Sequence, residues 1–293
     1  TGTKVSIVTQ KVQTTRFPVR GVAIDSRRLE PGEAFVAIRG ARFDGHAFIQ
    51  EAIRRGASCV IVSTAPDAPL PVPTLLVPDT IQALGALAAF HRAQFRIPVI
   101  AVTGSCGKTT TKELMAHLLA SSRRVLKTFG TQNNHIGLPL TLLQMNESHQ
   151  VAIVELGTNH PSEIAYLARI AAPTIAVVTN VGSAHIGFFG SVQAIIQEKL
   201  SLVEALRPGG VAIVPGDQLE VLLAAKARRR PGTTLLTFGT SEQCGVQGLD
   251  IRRQADGFTM QVRDTHGVFT VPLPGSHNVE NALAALAALR VLG

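Results

Sequence analysis

Tryptophan is missing from the 293 residues, tyrosine occurs once, and aromatic residues make up only 4% of the chain. Nucleic-acid partners are commonly gripped by basic patches interleaved with aromatic side chains, so this scarcity argues against such a partner despite a formal charge of +8. Cysteine is scarce as well. Cys59, Cys106 and Cys244 show no paired spacing and no CxxC, which excludes a disulfide framework and a zinc pattern and fits a reducing cytoplasm. No apolar run approaches the roughly 20 residues that span a bilayer, and residues 1–20 lack the basic-then-apolar layout of a signal peptide. No membrane partner is expected. Internal repeats are absent too, and the only compositional bias is an alanine-rich last helix. The chain opens on Thr1 rather than Met, so its true start is expected to be missing.

What is present is core-forming material, with 45% hydrophobic residues. At roughly 150 residues per domain, the length points to two domains. The one dense basic cluster, Lys226 with Arg228, Arg229 and Arg230, falls where a helix should end and complements the helix dipole there. The positive balance then suits acidic small molecules better than nucleic acid.

Residues 1–79 are expected to form a first, small α/β domain. RGVAIDSR, EAFVAI, SCVIVS and PTLLVP read as short strands, and Asp44 to Arg55 as a helix. Asp79 should cap a helix running to about Arg96, which Pro98 stops. In residues 80–293 the near-continuous apolar strands VIAVTG, VAIVEL, TIAVVTN, GVAIVP and TLLTFG alternate with helical segments. That is the pattern of a doubly wound, mostly parallel sheet covered on both faces, with ligands at the carboxyl ends of its strands. After Gly245, DIRRQ, GFTMQVRD and GVFTVPL read as a small antiparallel annex, and Asn278 to Val291 as a closing helix.

The stretch that organises the chain is PVIAVTGSCGKTTT, Pro98 to Thr111: strand, glycine-rich loop, then a helix expected from Thr111 to Ala120. Glycines let backbone N–H groups turn inward around an anion, and a helix N-terminus adds partial positive charge. A lysine and a hydroxyl at the end of such a loop face phosphate and metal. Gly104, Ser105, Cys106, Gly107, Lys108, Thr109 and Thr110 are therefore candidates to bind a nucleoside triphosphate with magnesium. The loop is the short form, because the first glycine of the longer pattern would fall at Val102. Cys106 reads as a small residue that the loop tolerates.

Other strand ends carry further candidates. Glu155, after VAIV, offers the oxygen ligand that magnesium requires. His185 follows TIAVVTN, and Lys199 stands fourteen residues on; a site pair, or a loop histidine and a surface lysine, are both compatible with the bare residues. Thr131 to Pro139 carries Asn133 and Asn134, suited either to turn chemistry or to hydrogen-bonding a substrate. Asn278 could cap the last helix, and Asn281, one turn on, could reach a nucleobase edge.

Together TGSCGKTTTKE, NNHIGLPLTLL, VELGTNHPSEI, TNVGSAHIGFFGS with QEKLSLVEAL, and PGSHNVENALAALAAL resemble the Mur ligase family in order and spacing. VAIDSRRLEPGEAFVAIRGARFDGHAFI resembles its UDP-sugar substrate domain, so the likeness covers about residues 20 to 293. The resemblance implies ATP-dependent peptide ligation in cell-wall synthesis, with UDP-N-acetylmuramoyl-tripeptide and D-alanyl-D-alanine as substrates, an acyl phosphate between them, and a cytoplasmic monomer. By it, Lys108 contacts the β- and γ-phosphates, and Thr109 and Glu155 hold a first magnesium. His185 and a carbamylated Lys199 serve a second, carbamylation turning a cation into an oxygen ligand. Asn278 and Asn281 approach the adenine. Asn134 and Thr158 belong to the substrate region, as do Ser26, Arg27, Asp44, Gly45 and His46. The family's third, C-terminal domain would begin where the chain stops, at Gly293.

Four alternatives stand beside this reading. The family member that adds the third residue is disfavoured by the NNHIGLPL and ELGTNHPSEI forms, and folylpolyglutamate synthase by the N-terminal UDP-sugar block. A non-catalytic nucleotide-binding module is disfavoured by the intact set of Lys108, Thr109, Glu155, His185 and Lys199. A nucleic-acid-dependent ATPase is weaker still.

Overall fold

The computed structural model describes residues 18–40, 43–182 and 186–293. The chain divides into two compact units, Thr1–Phe90 and His91–Gly293.

In the first unit four parallel strands, β1 (Val22–Ala23), β2 (Ala34–Val36), β3 (Cys59–Val62) and β4 (Thr74–Leu76), lie side by side in chain order. β2 and β3 are buried at every position, and Phe35, Val60 and Val62 pack with Ile49 and Ala52 of α1 (Ile49–Arg54). Each such apolar side chain taken from water contributes about 1.5–3 kcal/mol. The helix expected from Asp44 is instead a 3-10 turn, Gly45–Phe48, leading into α1. Asp44 caps this turn, accepting from His46 N at 3.0 Å, and Gly45 lies close against Ile38: a Cβ there would stand 2.7 Å from the Ile38 backbone nitrogen, and its own N–H donates to the Ile38 carbonyl at 2.8 Å. Asp79 caps α2 (Thr80–Ala93), accepting from the N–H groups of Ile81 at 2.8 Å and Gln82 at 3.0 Å. The division between the units falls inside this helix.

The second unit alternates strand and helix: β5 (Val99–Thr103), α3 (Lys108–Leu119), β6 (Val125–Lys127), α4 (Gly137–Leu143), β7 (Val151–Glu155), α5 (Glu163–Ala171), β8 (Ile175–Val178), α6 (Ile186–Phe189), α7 (Val192–Glu204), β9 (Val211–Pro215), α8 (Leu219–Arg228) and β10 (Thr234–Gly239). β11 (Val246–Gln254), β12 (Gly257–Val262), β13 (Phe269–Val271) and α9 (His277–Leu292) follow. The strands form one nine-stranded sheet in the order β13-β12-β11-β10-β9-β8-β5-β7-β6. β5, β7 and β8 are buried throughout, as strands covered on both faces must be. The antiparallel segment is not a separate sheet. Val246 and Gln247 pair parallel to Phe238 and Gly239 of β10, and only β12 and β13 run antiparallel beyond them. α8 ends in Lys226 and Arg228, and Arg228 pairs with Glu204 at 2.6 Å.

Chain order reverses around β5, with β7 and β6 on one side and β8 to β10 on the other. Ligands of doubly wound sheets collect at such a switch point. The glycine-rich loop leaves β5 there.

Candidate nucleotide and metal site

The loop enters its helix earlier than expected: α3 starts at Lys108, not Thr111. Gly107 adopts a left-handed φ of 79° and turns the chain directly into the helix, so that Lys108 and Thr109 occupy its first turn. A Cβ on Gly107 would run into the Asn281 amide, and one on Gly104 into the Thr179 hydroxyl. The two glycines therefore let the loop pack directly on Asn281 and Thr179, which shapes it as a cradle at the start of α3.

Two residues beyond β8 strap this cradle. Asn180 accepts from Ser105 N through its carbonyl (3.0 Å) and from Cys106 N through Oδ1 (3.0 Å), and its Nδ2 donates back to the Cys106 carbonyl at 3.2 Å. Thr179 Oγ1 also donates to that carbonyl, at 2.5 Å. Sequence pattern alone does not single out either residue; the signal is the TN closing the TIAVVTN strand, next to the loop only because β8 pairs with β5.

The register Val102↔Glu155 sets Glu155 level with the last residues of β5. Its Oε2 accepts the Thr109 hydroxyl at 2.9 Å, and its Oε1 accepts Asn133 Nδ2 at 2.7 Å. Asn133 rather than Asn134 is the amide that meets this carboxylate. Asn134 instead folds the turn just before α4, its Oδ1 accepting from Ile136 N at 3.1 Å and Gly137 N at 2.9 Å, so this segment is turn leading into helix. The Lys108 ammonium folds over the loop and donates to the Gly104 carbonyl at 2.9 Å. Burial pushes its pKa down, opposed by the charge of Glu155.

Lys199 is not a surface lysine; it is 2% exposed on α7. Burial, and next the charge of Lys108, bring its pKa down to about 8. Glu198 beside it accepts from Ser162 N at 2.7 Å, Ile164 N at 2.8 Å and Thr158 Oγ1 at 3.4 Å, which ties α7 to the loop after β7. Thr158 also donates to the His160 carbonyl at 2.8 Å. His185 lies outside the described residues. Asn281 is buried against Gly107 and accepts from Thr111 Oγ1 at 3.4 Å, while its Nδ2 donates to Asn278 Oδ1 at 3.0 Å. Asn278 does not cap α9; that position is Ser276, and Asn278 Nδ2 donates to the Pro274 carbonyl at 2.7 Å.

Among the described residues no three His, Cys, Asp or Glu side chains gather around a common point. The fit is to a hard cation that keeps waters and phosphate oxygens in its shell, because the Glu155 carboxylate and the Thr109 hydroxyl are oxygen donors at the mouth of a phosphate cradle.

The candidates of the first unit are held by near neighbours. Asp25 accepts from Arg27 Nε at 2.9 Å, from Arg27 NH2 at 2.8 Å and from Arg27 N at 3.0 Å, and these bonds hold its carboxyl at about 2. Ser26, between them, is buried. Asp44 binds the His46 ring at 2.6 Å, and His46 Nε2 accepts from Ser63 N at 3.0 Å.

Two family profiles match: "Mur ligase family, catalytic domain" over residues 18–92 and "Mur ligase middle domain" over residues 102–289. The UDP-N-acetylmuramoyl-tripeptide--D-alanyl-D-alanine ligase of Bacillus subtilis is 38% identical over 271 residues, covering 92% of this chain and 58% of that relative. The crystal structure of MurF from Acinetobacter baumannii superposes with a TM-score of 0.84 at 37% identity, over 93% of this chain and 59% of that one. MurF ligase from Thermotoga maritima, solved in complex with ADP, gives 0.84 at 32% identity, over 95% and 64%. The chain thus spans about three fifths of the length of the proteins it matches.

Proposed function

Because the chain belongs to the Mur ligase family, we propose that it serves the ATP-dependent joining of D-alanyl-D-alanine to UDP-N-acetylmuramoyl-tripeptide, the activity for which its relatives are named. The observation that carries the reading is the Glu155–Thr109 pair, 2.9 Å apart at the mouth of the phosphate cradle. Hydroxide is a poor leaving group, so a carboxylate must be activated before an amine can displace anything from it. In this reading the terminal carboxylate of the tripeptide attacks the γ-phosphorus of ATP, ADP leaves, and the dipeptide amine then displaces phosphate from the acyl phosphate.

Such chemistry needs positioning and charge stabilisation more than covalent help from the protein. Lys108 would lie against the β- and γ-phosphates, with the backbone N–H groups of Gly107 to Thr110 around them, while Asn180 holds those of Ser105 and Cys106. Thr109 and Glu155 would hold one magnesium, and His185 with a carbamylated Lys199 a second; bound magnesium neutralises charge on the phosphoryl oxygens. Carbamylation consumes a neutral amine, and a pKa of about 8 keeps a substantial part of Lys199 neutral near that pH. Asn278 and Asn281 would floor the adenine side. Asn134 and Thr158 would shape the region of the reacting carboxylate, and Ser26, Arg27, Asp44, Gly45 and His46 would receive the UDP-sugar. A monomer in the cytoplasm, without a nucleic-acid partner, completes the reading.

A thermal-shift titration tests it, with UDP-N-acetylmuramoyl-tripeptide, the dipeptide precursor and a folate, each with and without Mg-ATP. Specific binding to the native state raises the melting temperature by mass action. The largest shift is expected for the tripeptide; a larger shift for the folate or the dipeptide precursor would overturn the substrate assignment.

A further inference from the structure

Lys112 lies one turn beyond Lys108 on α3, and its side chain is completely buried, at 0% exposure. A buried ammonium is costly to desolvate unless its surroundings answer it specifically. Here Nζ donates to the carbonyls of Thr128 at 2.7 Å and Gly130 at 2.9 Å. It stands 3.1 Å from Glu113 Oε1, a half-exposed carboxylate that Lys127 shares, and 3.9 Å from Glu155 Oε2. The same Glu155 oxygen accepts the Thr109 hydroxyl. The Thr128 hydroxyl in turn accepts from Glu155 N at 3.0 Å, so Lys112, Thr128 and Glu155 form a closed ring.

The carboxylate read above as a magnesium ligand therefore already has a resident cation, and one further ammonium group, that of Lys108, acts on it. We propose that Lys112 is a positioning residue that acts through its charge. It aims the Glu155 carboxylate and offsets its negative charge, so that a divalent cation binds weakly until nucleotide phosphates arrive with it. The nucleotide then carries its own metal into the site. This inference rests on the reading of Glu155 as a metal ligand. A purely structural Lys112, pinning Thr128 and Gly130 to α3, would have the opposite signature, because losing it would loosen the site and weaken metal binding.

Manganese binding followed by electron paramagnetic resonance separates the two, on this chain with and without ADP. The wild type should bind Mn2+ at millimolar strength alone and far more tightly with ADP. Lys112→Met should bind nucleotide-free Mn2+ about tenfold more tightly or better, since a unit charge a few ångströms away is removed from a site of low effective dielectric. Equal or weaker binding by Lys112→Met would overturn the inference. Micromolar Mn2+ binding by the nucleotide-free wild type would overturn it even where that variant fails to fold. Glu155→Gln distinguishes the layers: if it leaves Mn2+ binding with ADP intact, the reading of Glu155 falls and this inference with it. If it abolishes that binding while Lys112→Met changes nothing, only the inference about Lys112 falls.

Discussion

The two units hold their candidate residues in opposite ways. In the first, the polar contacts are almost all to near neighbours: Arg27 to Asp25 two residues away, His46 to Asp44 two residues away, Arg39 to Asp44 five away. In the second, the site is assembled across the chain: Thr109 to Glu155 spans 46 residues, Cys106 to Asn180 spans 74, and Thr111 to Asn281 spans 170. A locally held residue keeps its geometry when distant parts are disturbed. A site stitched from distant strands depends on sheet register and on every residue that lets two segments approach. Substitutions in the second unit should therefore reach further.

The largest effect is expected at the cradle's cation. Lys108→Ala should lower ADP release about a thousandfold or more if, as proposed, its charge is aimed at the transferring phosphoryl group. Coupled-assay turnover within tenfold of wild type would show that the phosphates are held elsewhere. Gly107→Ala comes next and tests the long-range side directly. A left-handed φ of 79° and the Asn281 amide both oppose a methyl group there. Urea unfolding should show a loss of roughly 2–3 kcal/mol, together with loss of any thermal shift by ADP. An unperturbed variant would mean that Asn281 does not define the loop's floor.

That contrast also explains what can be read from sequence. The glycine-rich loop, the parallel apolar strands and the Asp79 cap are legible because each is a local pattern with a local cause. The place of Glu155 at a strand end is legible because the apolar run before it stops there. The roles of Asn133, Thr179, Asn180 and Lys112 are not, since each acquires its role from a partner that only strand pairing brings near. Lys199 illustrates the limit: helical spacing cannot say whether a lysine points outward, and this one is buried. In the first unit, the helix expected from Asp44 begins as a 3-10 turn whose Gly45 lies against Ile38, a contact with no signature in the hydrophobic pattern.

Buried Lys199 gives a smaller, pH-dependent effect. Its folded pKa of about 8 lies below the ordinary 10.5, so the folded protein holds this proton less tightly than the unfolded chain. Between these values the unfolded state binds more protons, and stability rises with pH; below about 8 both states are charged and the penalty stays constant. Lys199→Met should therefore be the more stable protein at pH 7, by at most about 3 kcal/mol, with the advantage shrinking above pH 8. Denaturant midpoints at three pH values measure it, and a pH-independent difference would show that charge is not the cause. The matching loss of turnover in Lys199→Ala should be partly restored by short carboxylic acids if a carbamate is the active form.

The smallest structural effect belongs to the first unit, at Arg27. Its side chain is 82% exposed and its partner Asp25 sits two residues away, and ion pairs of this kind contribute little to stability because water screens them and two long side chains must be immobilised. Arg27→Ala should leave the melting temperature of the free chain essentially unchanged. A residue held ready for a ligand and contributing little to the fold has a different signature. The thermal shift produced by UDP-N-acetylmuramoyl-tripeptide should fall while that produced by Mg-ATP persists. If instead the free chain melts several degrees lower, the local Asp25–Arg27 turn supports the fold itself, and the distinction between a locally held first unit and a long-range second one would have to be redrawn.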